Sequence, residues 1–160
     1  VSQIIKQSNQ FNIIQANSTY IEVVAPLFDS YRQFYGEASD LTQAYDFLLK
    51  RLMKEESVIF IAIVQNINGI ESLGFTQLYP SFSSVSMQKI WILNDLFVLP
   101  QVRNQGIATA LLNTAKTFAL ETKAKRLILA TAINNYPAQR LYEKAGFSKD
   151  EAFYHYQFNL

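Results

Sequence analysis

Two features able to do chemistry share the stretch 94–112, NDLFVLPQVRNQGIATALL. The first is Asp95, a carboxylate inside an otherwise apolar run, where burial would demand hydrogen-bond partners. Its type and place fit a structural, hydrogen-bonded group and a functional one equally. The second is the polar turn 101–105 closed by Gly106, which leads into residues spaced as one face of a helix: Ala108, Leu111, Leu112, Ala115 and Ala119. The first amides of a helix have no internal partners and lie at the positive end of its dipole. A strand-to-helix turn with no bulky side chain in front of it can therefore hold a phosphate. Arg103 adds a guanidinium suited to phosphate oxygens. A Gly in such a turn also has a plainer reading, backbone geometry alone.

Several chemistries lack their parts. No Gly-Lys-Ser/Thr is present, so the turn is not a P-loop, and the apolar segment 126–130 is followed by Thr131 and Ala132 instead of the acid a dinucleotide site places on the ribose. The chain has no Cys and one His, His155. Cys/His zinc sites, disulfides, thiolate nucleophiles and Ser-His-Asp triads are excluded or nearly so, and no metal site is expected. A net charge of +1 without a run of Lys or Arg argues against nucleic acid as a partner. The longest apolar run, 58–64, is far too short to span a membrane, and no charged-then-apolar leader opens the chain. A cytoplasmic location is expected.

Arg103-Asn104-Gln105-Gly106-Ile107-Ala108 resembles the Arg/Gln-x-x-Gly-x-Gly/Ala signature of the GNAT superfamily of N-acetyltransferases. Asn135-Tyr136-Pro137-Ala138-Gln139-Arg140-Leu141-Tyr142-Glu143-Lys144-Ala145-Gly146-Phe147 resembles the second motif of that family: Asn, a small residue, then Tyr, ending in Gly-Phe. The motifs stand in the family's order with one strand between them, and the resemblance covers roughly residues 57–160. It implies acetyl-CoA as cosubstrate, with Arg103, Asn104, Gln105, Gly106, Ile107, Ala108 and Thr109 around its pyrophosphate. Leu96, Phe97 and Val98 would meet the arm and the oxyanion through their backbone, and Asn135 and Ala138 would also line the arm. Tyr142 takes the place of the family's general acid for the leaving thiolate. Periodicity alone puts Tyr142 on an apolar helix stripe, and Asn135 alone reads as a turn residue before Pro137.

Within the family, Asn94-Asp95-Leu96-Phe97-Val98 looks most like the Glu-Asp-Phe-Phe-Val segment of diamine acetyltransferases. Asn94 stands where those enzymes carry the Glu that contacts the amine, and an amide is no base. Acetyl transfer to an amine needs a neutral nucleophile, yet an alkyl ammonium with a pKa of about 10.4 is neutral in only roughly one molecule in 2,500 at pH 7. Asp95, or ordered water, is left to take the proton. With no Cys for an acyl-enzyme, direct attack in a ternary complex is the simpler route.

The elements that must position these groups follow from pattern. A polar lead precedes a first strand at 11–16, and Thr19-x-x-Glu22 predicts a capping box for a helix with Pro26 inside it, kinked or broken there and ended by Gly36. Ser39 or Asp40 caps a second helix, so Tyr31, Phe34, Tyr35 and Tyr45 gather around the turn 36–40. Aromatics at this spacing are usually core, but Tyr31 and Tyr35, with Asn94, are candidates for the acceptor pocket. Strands are expected at 58–65, 70–79 and 89–98, with a hairpin at 66–69 and a Ser-rich loop at 80–87. Pro100 stops the third of these. After the helix led by Gly106 come a strand at 126–130, a short helix from Pro137 to Gly146 and a last strand at 153–158.

The order is βααβββαβαβ: one α+β domain over residues 1–160, a mixed and largely antiparallel sheet flanked by helices. The resemblance implies that its fourth and fifth strands splay apart. The expected activity is acetyl-CoA-dependent N-acetylation of a primary amine, a small molecule in first place. The alternatives are a noncatalytic acyl-CoA-binding or regulatory module and a protein N-terminal or lysine acetyltransferase. Proteins that look like this one are commonly homodimers.

Overall fold

The computed structural model describes residues 11–160; the polar lead, residues 1–10, lies outside them. The chain divides after Ala130 into two compact units.

The first unit is built on a five-stranded sheet in the order β1-β2-β3-β4-β5. Its strands are β1 (Asn12–Gln15), β2 (Val58–Asn66), β3 (Gly69–Ser83), β4 (Gln88–Val98) and β5 (Leu127–Leu129). Pairing is antiparallel from β1 to β4 and parallel between β4 and β5. Three helices accompany it: α1 (Ile21–Phe34), α2 (Leu41–Met53) and α3 (Ile107–Glu121). Strand β2 is apolar on both faces because both are covered. Ile59, Ile61 and Ile63 join Phe75 and Phe97 under α1 and α2. Phe60 instead turns to Phe118 of α3, its ring centroid 5.4 Å away. Trp91 is 5.1 Å from the same ring and donates its indole N–H to Thr122.

The capping box at Thr19 does not form: Asn17 accepts from Thr19 N and Oγ1 and starts a 3-10 turn, Ser18–Tyr20, that runs into α1. Helix α1 continues through Pro26 without a break; the proline lies on its exposed face, where water can serve the carbonyl the ring leaves unbonded. Strand β3 runs to Ser83, taking in the first half of the segment expected as a loop, and the turn is confined to residues 84–87. Pairing with β2 ends at Leu78, so among the described residues Pro80 sits on a stretch with a strand on one side only, which tolerates its missing N–H.

The second unit, residues 131–160, contains α4 (Tyr136–Lys144). Asn135 caps it by accepting from Ala138 N at 3.3 Å, and Pro137 occupies its first turn. No strand forms at 153–158, and those side chains are exposed. The aromatic and polar alternation there is weak, and a strand needs a neighbour to satisfy its backbone.

Candidate active site

The site begins with a misfit in strand pairing. Gln77 faces Asp95 and Leu78 faces Leu93, so Asn94 is an extra residue with no partner on β3, a β-bulge. One extra residue reverses which face the following side chains take. Before the bulge Trp91 points towards α3; after it Phe97 packs against Tyr31 of α1, their rings 6.2 Å apart. The bulge therefore turns Asp95 to the α1 side, where it is 2% exposed.

There it meets three donors. Gln77 Nε2 donates to Oδ2 at 2.7 Å, Asn94 Nδ2 to Oδ1 at 3.0 Å, and the Tyr31 hydroxyl also donates to the carboxylate. Burial still wins, and the Asp95 pKa lies above the ordinary carboxylate value despite the bonds that pull it down. Burial and then the Asp95 charge push the Tyr31 phenol up as well. The same two causes, offset in part by Arg51, push Tyr79 up to about 12. Asp95 forms part of the wall of a cavity of about 310 Å³ with Asn94, Tyr31, Tyr35, Tyr79, Phe28 and Phe47, and with Arg32 and Glu37.

The rim is held by a second buried carboxylate. Asp29 of α1 accepts from Ser39 Oγ at 2.6 Å, Asp40 N at 2.9 Å, Gln33 Nε2 at 3.0 Å and Arg32 Nη1 at 3.4 Å. Burial raises its pKa, but these bonds outweigh burial and leave it below the ordinary value. Asp40 thereby stays free to cap α2 by accepting from Gln43 N. The turn between α1 and α2, which carries Tyr35 and Glu37 to the pocket, is anchored by Asp29.

On its other side β4 is open. Pairing with β5 stops at Leu93↔Leu129, and β4 runs on to Val98 with no strand beside it among the described residues. The Asp95 carbonyl accepts from Thr76 Oγ1, and the Phe97 carbonyl lies against Gly74, so both face β3. By alternation Leu96 and Val98 present their amides and carbonyls to the open edge. Arg103 Nε donates to the Val98 carbonyl at 2.9 Å, and its guanidinium lies 5.8 Å from the Phe34 ring centroid and 5.7 Å from that of Phe97. This contact ties the turn 103–106 to the end of β4. Gly106 has φ +82, and no side chain caps α3. A Cβ added at Gly106 would meet nothing within 4 Å, and no side chain caps the amides of Ile107, Ala108 and Thr109 that start the helix.

The acetyltransferase (GNAT) family matches residues 24–147. The chain belongs to that family. It is 50% identical over 149 residues to the uncharacterized N-acetyltransferase YhfO of Bacillus subtilis, covering 93% of this chain and 97% of that protein. A crystal structure of a probable acetyltransferase is 43% identical with a TM-score of 0.87, covering 93% of this chain and 97% of that one. An aminoglycoside N-acetyltransferase in complex with CoA shares the fold, with a TM-score of 0.76 at 20% identity over 98% of this chain and 100% of that one.

This GNAT chain is an N-acetyltransferase, and members of the family bind acetyl-CoA or CoA. Its residues fit a diphosphate: an uncapped helix start, a glycine whose missing side chain leaves space, and exposed Asn104, Gln105 and Thr109 around it. The first unit of the GNAT chain brings Asn94, Asp95, Tyr31 and Tyr35 into one pocket and sets Leu96, Val98 and the 103–109 turn along and beyond the open edge, whereas Phe97, expected to meet the cofactor through its backbone, turns its carbonyl to β3 by strand alternation. Asn135, Ala138 and Tyr142 belong to the second unit, where the half-buried Tyr142 ring is 6.2 Å from that of Phe147. Sequence reasoning passed over Gln77, Tyr79 and Asp29. Asp29 had a signal, as an acid on the buried stripe of α1 beside Ala25 and Phe28. The role of Gln77 emerges only once the strand register sets it opposite Asp95.

Proposed function

We propose that this GNAT enzyme acetylates a primary amine of a small molecule by direct attack in a ternary complex. Residues 1–160 are read as a single acetyltransferase domain, because the family match runs through both compact units. The observation that carries the reading is Asp95, a buried carboxylate in the wall of an aromatic pocket and on the strand whose far edge is open.

Bound acetyl-CoA supplies the acyl group as an activated thioester. The amides at the start of α3 hold its diphosphate, and the open edge at Leu96 and Val98 takes up its arm. Asp95 removes the proton that an ammonium substrate brings. Its raised pKa narrows the gap to the amine, so less free energy is lost in the transfer. The outward amide at Leu96 or Val98 is a donor fixed before reaction for the charge that develops on the carbonyl oxygen. Tyr142 returns a proton to the leaving thiolate, as its motif implies. The pocket has aromatic walls and Asp95 as its buried acid, which suits a compact amine with an apolar or aromatic body better than a polycation.

The test is CoA thiol release measured over a panel of small amines. We expect amine-dependent release that falls about 10²-fold or more in Asp95→Asn. Wild-type protein that binds acetyl-CoA yet releases no CoA with any amine would contradict the reading and favour a binding module.

A further inference from the structure

Strand alternation places Phe75, Gln77 and Tyr79 on the face of β3 that looks towards α1. Gln77 is fully buried. Its Nε2 makes two bonds, 2.7 Å to Asp95 Oδ2 and 3.0 Å to the Tyr79 hydroxyl oxygen. Its Oε1 has no partner. A carboxylate cannot donate, so the nitrogen of the amide must face Asp95 while that group is ionised. The same nitrogen then occupies a lone pair of Tyr79. With its oxygen accepting from Gln77, Tyr79 is left with one hydrogen, and among the described residues no protein group accepts it. Tyr79 lines the cavity beside Asn94 and Asp95.

The geometry points to Tyr79 as a specificity-determining donor and to Gln77 as the residue that positions both Tyr79 and Asp95. The preferred amine then carries a hydrogen-bond acceptor, such as a hydroxyl or ether oxygen, near the nitrogen that Asp95 deprotonates. This rests on the reading of the pocket as the amine site. The tyrosine stays neutral across the working range, since its pKa is pushed up to about 12, so it donates a hydrogen bond without titrating. An acceptor beside the amine fills the donor valence that the network leaves open on Tyr79. An amine without it leaves that hydroxyl unpaired in a partly desolvated site, which is the kind of loss that discriminates between close analogues.

The experiment compares 2-phenylethylamine with 2-amino-1-phenylethanol, which differ by one hydroxyl, as substrates for wild type, Tyr79→Phe and Gln77→Leu. Wild type should favour the hydroxylated amine about tenfold in kcat/KM, and in Tyr79→Phe that ratio should fall to about one. In Gln77→Leu the ratio should also fall. The acid limb of its kcat/KM profile should move to higher pH, because Asp95 loses a donor to its ionised form while Tyr31, Asn94 and Tyr79 remain around it. A merely structural Gln77 would leave that limb in place. Equal use of the two amines by wild type, or an unchanged ratio in Tyr79→Phe, overturns the inference and leaves the acetyltransfer reading standing. Failure of both amines alongside the whole panel, with acetyl-CoA still bound, overturns the two together.

Discussion

Asp29→Asn removes a charge while keeping the side chain's shape, and the structure allows its cost to be estimated. The carboxylate accepts from Ser39, Asp40 N, Gln33 and Arg32. The amide can serve only part of that set, and its NH₂ would face a donor. Hydrogen bonds to a charged group are worth about 1.5–3 kcal/mol each, but the bonds here share one carboxylate and are not additive. Losing the charge and about two bonds should cost roughly 2–3 kcal/mol, or a fall in Tm of roughly 5–10 °C for a domain of this size. The pH dependence has a definite sign. Asp29 has a depressed pKa in the folded state, so its contribution is present in full above the unfolded value of about 3.9 and is lost as pH falls through the lower folded value. Urea unfolding of both proteins from pH 2 to pH 7 should show a gap that is flat above about pH 5 and narrows in acid. The anchored turn carries Tyr35 and Glu37, so KM for the amine should rise as well. A gap below about 0.5 kcal/mol at neutral pH, or one that does not change down to pH 2, would refute the reasoning.

Gly106→Leu should leave a folded protein, with a cost of about 1–2 kcal/mol for a side chain at positive φ. CoA affinity by calorimetry should nevertheless fall by about 10²-fold or more, because the side chain enters the space before α3; affinity within threefold of wild type, on the order of 0.6 kcal/mol, would count against it. Tyr142→Phe should lower turnover about 10²-fold with little change in CoA affinity, and equal turnover would remove Tyr142 from the mechanism. Gly74→Ala places a Cβ 2.6 Å from the Phe97 carbonyl oxygen, a backbone atom that cannot swing away. It should destabilise the protein by about 1–3 kcal/mol in urea, and an unchanged midpoint would mean that β4 shifts freely there.

What could be read in the sequence was what depends on local chemistry. The turn at Gly106 was legible because a glycine between a strand and a helix pattern states a backbone need, and the φ of +82 meets it. Strands β2 and β4 and helices α2, α3 and α4 followed from periodicity and caps, with errors of a residue or two at most ends. What stayed hidden depends on partners distant in the chain. The bulge at Asn94 exists only relative to β3, so the face taken by Asp95 could not be derived from β4 alone. The extension of β3 through Pro80 depends on where β2 stops. At the start of α1 the capping box read at Thr19 is displaced by a 3-10 turn that Asn17 caps, and α1 follows directly from Tyr20 with no side-chain cap of its own. The segment 153–158 had strand-like residues, but it lies in no sheet ladder.

The proposed mechanism has the unpaired amides at the start of α3 grip the diphosphate of acetyl-CoA. A crystal structure with CoA bound tests it most directly. Phosphate oxygens are expected within about 2.7–3.2 Å of amides among residues 106–109, with the pantetheine arm along the open edge at Leu96 and Val98. A diphosphate held elsewhere on the chain, with those amides left to water, would contradict it.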